Sequence, residues 1–295
     1  MSKTVSLFSA LLCTFIWGTT FIAQDTGMDK IGPFTFNAVR FFIGFLAIIP
    51  LAFLIEKKKF KSELKLNYRS FVILSFLIGI SLFLGSALQQ VALLYTDVAN
   101  AAFFTIFYVP MVPIIIFFFK KSPIHWSVWP SVVLCLIGGY LLTNFYDATV
   151  RLGDSLVILG ALFWSTHIIF TGIIITKYNL PLTIGAVQTF IVAFFSFLIA
   201  LNYEEFIFEL IMNEIDSILY AGILSGGFAF VLQIYAQRNI TPAPAAIIFS
   251  LEGVFATIAA WFILSQILNI NNILGCGFIL AGVLLSQLMP TIKKT

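Results

Sequence analysis

A chain of 295 residues that is 60% hydrophobic and only 10% charged departs from an ordinary soluble domain, in which about a quarter of the residues are charged. Sixteen Lys+Arg against 13 Asp+Glu, a formal net charge of +3, give no basic excess of the kind a nucleic-acid partner requires. With 34 Phe and a mean hydropathy of +1.05, the solvent for most of this chain is lipid.

A hydrocarbon core of about 30 Å takes roughly 20 apolar residues per helix, with every backbone polar group satisfied inside the segment. Runs of this kind recur along the chain at Val5 to Ala23, Pro33 to Ile55, Phe71 to Leu94, Val98 to Phe119 and Trp129 to Phe145, then at Leu156 to Ile175, Leu182 to Leu201, Ile218 to Ala236, Ala243 to Leu264 and Ile273 to Met289. The expected fold class is therefore all-α integral membrane, with ten transmembrane helices. A cleaved signal peptide fits the first run poorly, because it exceeds a normal apolar core and Trp17-Gly18-Thr19-Thr20 is a poor cleavage neighbourhood.

Basic residues orient the helices. With the amino terminus inside, the inner segments hold Lys3; Lys57, Lys58, Lys59, Lys61, Lys65 and Arg69; Lys120 and Lys121; and Lys177, Arg238, Lys293 and Lys294, which is 13 of the 16. Outside lie Lys30 and Arg151 with most acids: Asp25, Asp29, Asp97, Asp147, Asp154, Glu204, Glu205, Glu209, Glu214 and Asp216. Both termini are expected in the cytoplasm, in an inner or plasma membrane. The outer linker Asn202 to Asp216 mixes acids with Phe206, Phe208, Leu210 and Ile211, the pattern of a short interfacial helix or of a plain acidic loop. Cys13, Cys135 and Cys276 all fall in spans at no recognisable spacing, so neither a disulfide framework nor a metal site is expected.

The chain resembles itself. Pro33-Phe-Thr-Phe-Asn-Ala-Val-Arg-Phe-Phe-Ile43 matches Pro181-Leu-Thr-Ile-Gly-Ala-Val-Gln-Thr-Phe-Ile191 at six of eleven positions, at an offset of 148. Phe15 to Thr19 lines up with Leu162 to Thr166, Thr96 to Phe104 with Thr241 to Phe249, and Gly138 to Leu142 with Ala281 to Leu285. Residues 1–147 and 148–295 thus read as two copies of a five-helix unit. Five is odd, so the copies enter the membrane from opposite sides, an arrangement that places a site at the midplane and suits alternating access.

Trp17-Gly-Thr-Thr-Phe21, Phe36-Asn-Ala-Val-Arg-Phe41, Gly160-Ala-Leu-Phe-Trp164, Leu232-Gln233 with Ala236-Gln237, and Ser250-Leu-Glu-Gly-Val-Phe-Ala256, taken in order, resemble an EamA-type member of the drug/metabolite transporter superfamily. The resemblance spans the whole chain. It implies ten helices in two inverted repeats around a central cavity, and small organic solutes, often amino acids or related compounds, moved outward. This chain departs from the family in having Glu252-Gly253 where Glu-Pro is usual and Ser265-Gln266 where Gly-Glu is usual, so no role attached to that second Glu transfers.

Within the spans only Arg40 and Glu252 are charged. A charge at bilayer depth costs at least about 2.5–3.5 kcal/mol, which makes each a functional candidate. Glu252, near the midplane, suits proton coupling, a substrate amine, or a carboxyl that fastens two helices. Arg40, about two turns from the outer end, either snorkels outward to an anchoring acid or touches an anionic solute group. Gln233 and Gln237 share a face, Gln89 is their first-half counterpart, and Asn100, Phe104 and Tyr108 form a stripe on the fourth span. Trp17 and Trp164 are repeat equivalents, as are Thr20 and His167. Aromatic walls with polar tips suit amphipathic solutes, and equally suit plain packing. His167 is a coupling candidate or an interhelix donor. Pro110 and Gly253 are candidate hinges, as is the Gly226-Gly227 pair.

The expected function is a secondary transporter of a small organic metabolite, coupled to protons or working by exchange; a multidrug exporter of the same fold is the alternative. An enzyme is not expected, because two distant His and one intramembrane acid make no catalytic constellation. No phosphate-cradling Gly-rich loop or cofactor site is present in the sequence. A channel would show rings of equivalent polar residues. The expected partners are a small-molecule solute, membrane lipid and a coupling proton, with no nucleic acid and with monomer and homodimer both open.

Overall fold

The structure, a computed structural model, describes residues 2–96, 98–120, 123–143, 151–263, 265 and 267–292. Among these, every regular element is helical. The chain runs through α1 (Lys3–Thr26), α2 (Pro33–Glu63), α3 (Asn67–Ala92), α4 (Asn100–Phe119), α5 (Val128–Leu142), α6 (Leu152–Tyr178), α7 (Pro181–Tyr203), α8 (Ile215–Ala236), α9 (Pro242–Ile263) and α10 (Ile270–Met289). Nine of the described helices are long and apolar enough to cross a membrane; α5, with 15 residues, spans only about 22 Å at 1.5 Å per residue. Phe145 and Leu264, expected as span ends, lie outside the described residues, as do Asp97, Lys121, Asp147, Gln266, Lys293 and Lys294.

Local chemistry sets the helix ends. Ser2 Oγ accepts the Val5 amide at 3.3 Å to start α1. Pro33, Pro181 and Pro242 open α2, α7 and α9, where their missing N–H is no loss. The basic linker between α2 and α3 is helical; its one break is at Asn67 (φ −165°, ψ 67°), whose side chain caps α3 by accepting the Ser70 amide at 3.3 Å. Asn179, left-handed at φ 47°, ends α6. In the linker between α7 and α8 a short helix, Phe208–Asn213, buries Ile211, as its mixed pattern suggests.

One pair of contacts organises the rest. Glu56, near the carboxyl end of α2, accepts the backbone amides of Leu182 (3.0 Å) and Thr183 (2.8 Å) and the Thr183 hydroxyl (2.8 Å) at the start of α7. Glu204, just past the end of α7, accepts the amides of Phe34 (2.9 Å) and Thr35 (2.7 Å) at the start of α2. The two helices are therefore antiparallel, and each caps the other. Glu204 follows Glu56 by 148 residues, the same offset that relates Pro33 to Pro181. Glu56, 5% exposed, and Asp154, 0% exposed, are buried acids in addition to Arg40 and Glu252, the two charges expected inside the spans. Both sit at helix ends, beyond the apolar runs; Asp154 takes the Arg151 amide at 2.9 Å and the Thr96 hydroxyl at 2.5 Å.

Two glycines permit backbone contact around the centre. A Cβ on Gly18 of α1 would stand 2.6 Å from the Glu252 carbonyl oxygen of α9, and one on Gly44 of α2 would stand 2.8 Å from the Gly222 carbonyl oxygen of α8. The close approach at α8 falls beside the Gly226-Gly227 pair, inside a widened π-helical stretch, Tyr220–Ala229.

α4 and α9 are interrupted. The first consists of Val98–Thr105 and Tyr108–Ile115 with a turn at Ile106 and Phe107; the second of Pro242–Phe249 and Leu251–Ile263 with a turn at Ser250. Pro110 and Gly253 are thus not the break points. Pro110 lies in the first turn of the restarted helix, where its missing N–H has no partner to lose, and Gly253 lies just past the turn, donating to the Ser250 carbonyl at 3.2 Å.

Removing either capping carboxylate strands amides in a poorly hydrated place. Glu56→Ala and Glu204→Ala are each expected to lose about 1–3 kcal/mol of stability, seen as a lowered thermal unfolding midpoint in micelles. Glu205→Ala, at an exposed neighbour, is the control and should stay within about 0.5 kcal/mol. Equal midpoints for all three would show that the caps stabilise nothing.

Candidate functional site

Residues flanking the breaks in α4 and α9 line an internal cavity of about 40 Å³. Its walls come from both halves of the chain: Trp17, Phe21 and Gln24 of α1, Arg40 and Phe41 of α2, Gln89 of α3, Thr105 and Tyr108 of α4, Trp164 and Ile168 of α6, Ser225, Phe230 and Gln233 of α8, and Phe249 and Glu252 of α9.

Aromatic packing makes the shell. Trp164 lies parallel to Phe230 (5° between planes, centroids 6.2 Å apart), and Trp17 meets Phe230 at 5.2 Å and Phe249 at 5.7 Å. Both indole N–H groups, Trp17 Nε1 and Trp164 Nε1, are buried without a hydrogen-bond partner among the described residues, as is Gln233 Oε1. Two donors and an acceptor with no other use, on a largely apolar wall, match the sparse polar groups that orient a small ligand.

The charged groups are separate. Tyr108, which opens the second half of α4, donates its hydroxyl to Glu252 Oε1 at 3.1 Å; Glu252 occupies the matching place after the break in α9. Arg40 is 3% exposed. Its Nε donates to Asn37 Oδ1 at 2.8 Å, and its guanidinium carbon sits 4.7 Å from the Phe41 ring centroid and 5.3 Å from that of Phe36, contacts that favour a desolvated cation. Asn37 is held in turn by donating to the Ser86 carbonyl at 3.3 Å. The snorkelling expected of Arg40 does not occur: fixed on the inward face of α2, it lines the cavity. Gln89 donates to Thr105 Oγ1 at 3.0 Å, which links α3 to the last turn before the break in α4.

Of the residues singled out from sequence, Trp17, Arg40, Gln89, Tyr108, Trp164, Gln233 and Glu252 meet at this cavity. Others are used elsewhere. Thr20 bonds its own helix at the Ile16 carbonyl (2.6 Å). Gln237 donates to the Ile168 carbonyl at 2.8 Å, tying α8 to α6 in the way an amide fastens helices in lipid. His167 Nε2 pairs with Gln188 Oε1 at 3.0 Å, behind the wall that its ring forms with Trp164 and Phe230. Asn100, Pro110 and Gly253 do not reach the cavity; Gly253 faces Ile106 and Leu142.

Phe21, Gln24, Phe41, Thr105, Ile168, Ser225, Phe230 and Phe249 complete the wall and were not picked out by composition. A signal for some existed: Gln89 and Gln233, Thr105 and Phe249, and Tyr108 and Glu252 are each 144 residues apart, and all six line the cavity.

Comparison with known proteins agrees. A crystal structure titled only as that of a protein superposes with a TM-score of 0.80, covering 100% of both chains at 16% identity. The chain is 31% identical over 280 residues to an uncharacterized transporter of Archaeoglobus fulgidus, covering 94% of this chain and 84% of that one. It is 26% identical over 295 residues to the uncharacterized transporter YoaV of Bacillus subtilis, covering 95% and 96%. The EamA-like transporter family matches residues 4–144 and 151–288, and the chain belongs to that family of membrane transporters.

Proposed function

We propose that this transporter is a secondary carrier for a small amphipathic organic solute, an amino acid or a related compound, which it exports by alternating access. One observation carries the reading: a single aromatic-walled cavity near the breaks of α4 and α9 holds both a buried cation, Arg40, and a buried acid, Glu252. Arg40 suits a carboxylate and Glu252 an amine, while Trp17, Trp164 and Phe230 suit the apolar body between them. Unpaired indole N–H groups offer further donors to the solute's anionic end.

In this reading residues 1–147 and 148–295 are two inverted halves. The offsets of 144 and 148 residues support it, as does the division of the family match into two stretches of similar length. The distribution of Lys and Arg supports cytoplasmic termini in an inner or plasma membrane. Glu252, hydrogen-bonded to Tyr108 and within reach of the cavity, is the proposed proton-coupling group. No cofactor takes part.

A thermal-shift screen of the purified chain against amino acids, polyamines, sugars and nucleosides tests the solute class. Amino acids are expected to raise the unfolding midpoint, and Gln233→Ala and Arg40→Ala to remove that rise, because a ligand stabilises only the state that binds it. A rise confined to sugars or nucleosides would sink the amino-acid assignment, and a broad response to unrelated hydrophobic cations would favour a multidrug exporter.

Counterflow in proteoliposomes, run with whichever amino acid stabilises the chain most, tests coupling. Glu252→Gln is expected to keep counterflow and flatten its pH profile. A profile that matches the unaltered chain assigns Glu252 to helix fastening instead.

A further inference from the structure

Glu56 and Glu204 were passed over as site residues because they lie at the edges of apolar runs, yet each caps the start of a helix distant in the chain. Between them they take four backbone amides and a hydroxyl. Both clamps are closed at once, one at each end of the α2–α7 pair. Between the clamps the two helices are joined by apolar packing: Phe45 meets Phe190 at 5.2 Å, and Ile48 and Ala52 pack with Leu182 and Ala186.

We propose that α2 and α7 form a fixed antiparallel pair, locked at both membrane faces by the Glu56 and Glu204 clamps, and that the broken helices α4 and α9 with the widened stretch of α8 move against it when the cavity changes the side to which it opens. The proposal rests on the carrier reading above.

Relative cost separates the moving from the static parts. Opening a clamp leaves two backbone amides at a helix start unsatisfied and parts an apolar seam as well. At Ile106, Phe107 and Ser250 the regular helix gives way to turns held by shorter-range bonds, such as Val109 to the Ile106 carbonyl (2.8 Å) and Gly253 to the Ser250 carbonyl (3.2 Å), so bending α4 and α9 there disturbs less than opening a clamp. α8 meets α2 by close backbone approach at Gly44, Gly222 and Gly227 and by apolar side-chain contact, Phe41 against Phe230 at 5.9 Å, so a shift of α8 repacks that contact without stranding a backbone amide. Arg40, on α2, then stays fixed while Glu252, on α9, moves relative to it. The two clamps are thus positioning devices for the cavity's cation, acting through α2.

The test leaves both clamps unaltered. In a chain with Cys13, Cys135 and Cys276 replaced by Ala, Ser225→Cys places one thiol on the cavity wall, and Thr105→Cys is the second position should the first variant fold poorly. A membrane-impermeant trimethylammonium-ethyl methanethiosulfonate, added from inside or from outside oriented proteoliposomes, traps the two open forms. Hydrogen exchange at the amides of Phe34, Thr35, Leu182 and Thr183 is then compared between them. The expected result is protection at both clamps in both forms, with rates differing by less than about threefold. Faster exchange than that at either end, in either form, would show that the clamps are gates and overturn the proposal. Labelling from one side alone, at both cysteine positions, would overturn the carrier reading itself and this inference with it.

Discussion

Inside hydrocarbon no water replaces a missing hydrogen-bond partner, so every helix start and every interruption has to be satisfied by the protein. The antiparallel α2–α7 pair meets that demand by exchange: each helix ends in a glutamate that takes the first free amides of the other. A carboxylate at a helix start is also placed where the helix dipole favours negative charge. The pair therefore fixes its own register at both ends. Against this frame α8 lies flush through glycine contacts, and α1, which touches α9 at Gly18, closes the centre from the other side.

The same demand explains why the polar groups of the cavity are where they are. A break in a transmembrane helix is tolerated only where it is buried in protein or lines a cavity. Both breaks do so, and each is followed within two residues by a polar side chain that lines the cavity, Tyr108 in α4 and Glu252 in α9. Arg40 needs a different solution, because it sits in an unbroken helix. Two phenyl rings and Asn37 surround its guanidinium, and these contacts replace the solvation that snorkelling would have supplied.

The membrane class, the positions of nine of the ten expected spans and the aromatic pair Trp17 and Trp164 were legible in the sequence, since each depends on residue type and spacing. What escaped depended on partners far away in the chain. Glu56 looks like one more charge in a basic linker until Leu182 and Thr183 are placed beside it, and Asp154 looks like a loop acid until Thr96 is. Thr20 and Gln237 carry the right chemistry for a cavity, but helical rotation spends that chemistry on the carbonyls of Ile16 and Ile168. Arg40 had two open readings for a related reason. Depth along the span allowed an outward reach, whereas the neighbours on its own helix, Phe36, Asn37 and Phe41, decide its direction.

Tyr108 and Glu252 carry the last step. If the proposed halves are related by a two-fold axis in the membrane plane, equivalent positions near that axis are pressed against each other, and their chemistry has to be mutually compatible. Two glutamates there would set like charges face to face, at a cost that one shared proton would have to relieve. A tyrosine opposite a glutamate gives a donor and an acceptor, and their 3.1 Å bond closes the gap between the two broken helices. Nearby, equivalence can be kept where the side chain is self-complementary, as an amide is, and the pair Gln89 and Gln233 keeps it. Divergence between the halves is then concentrated where symmetry would be destabilising. It also leaves the cavity with one acid on one half and one cation, Arg40, on the other, so that a solute bridging them senses both halves at once.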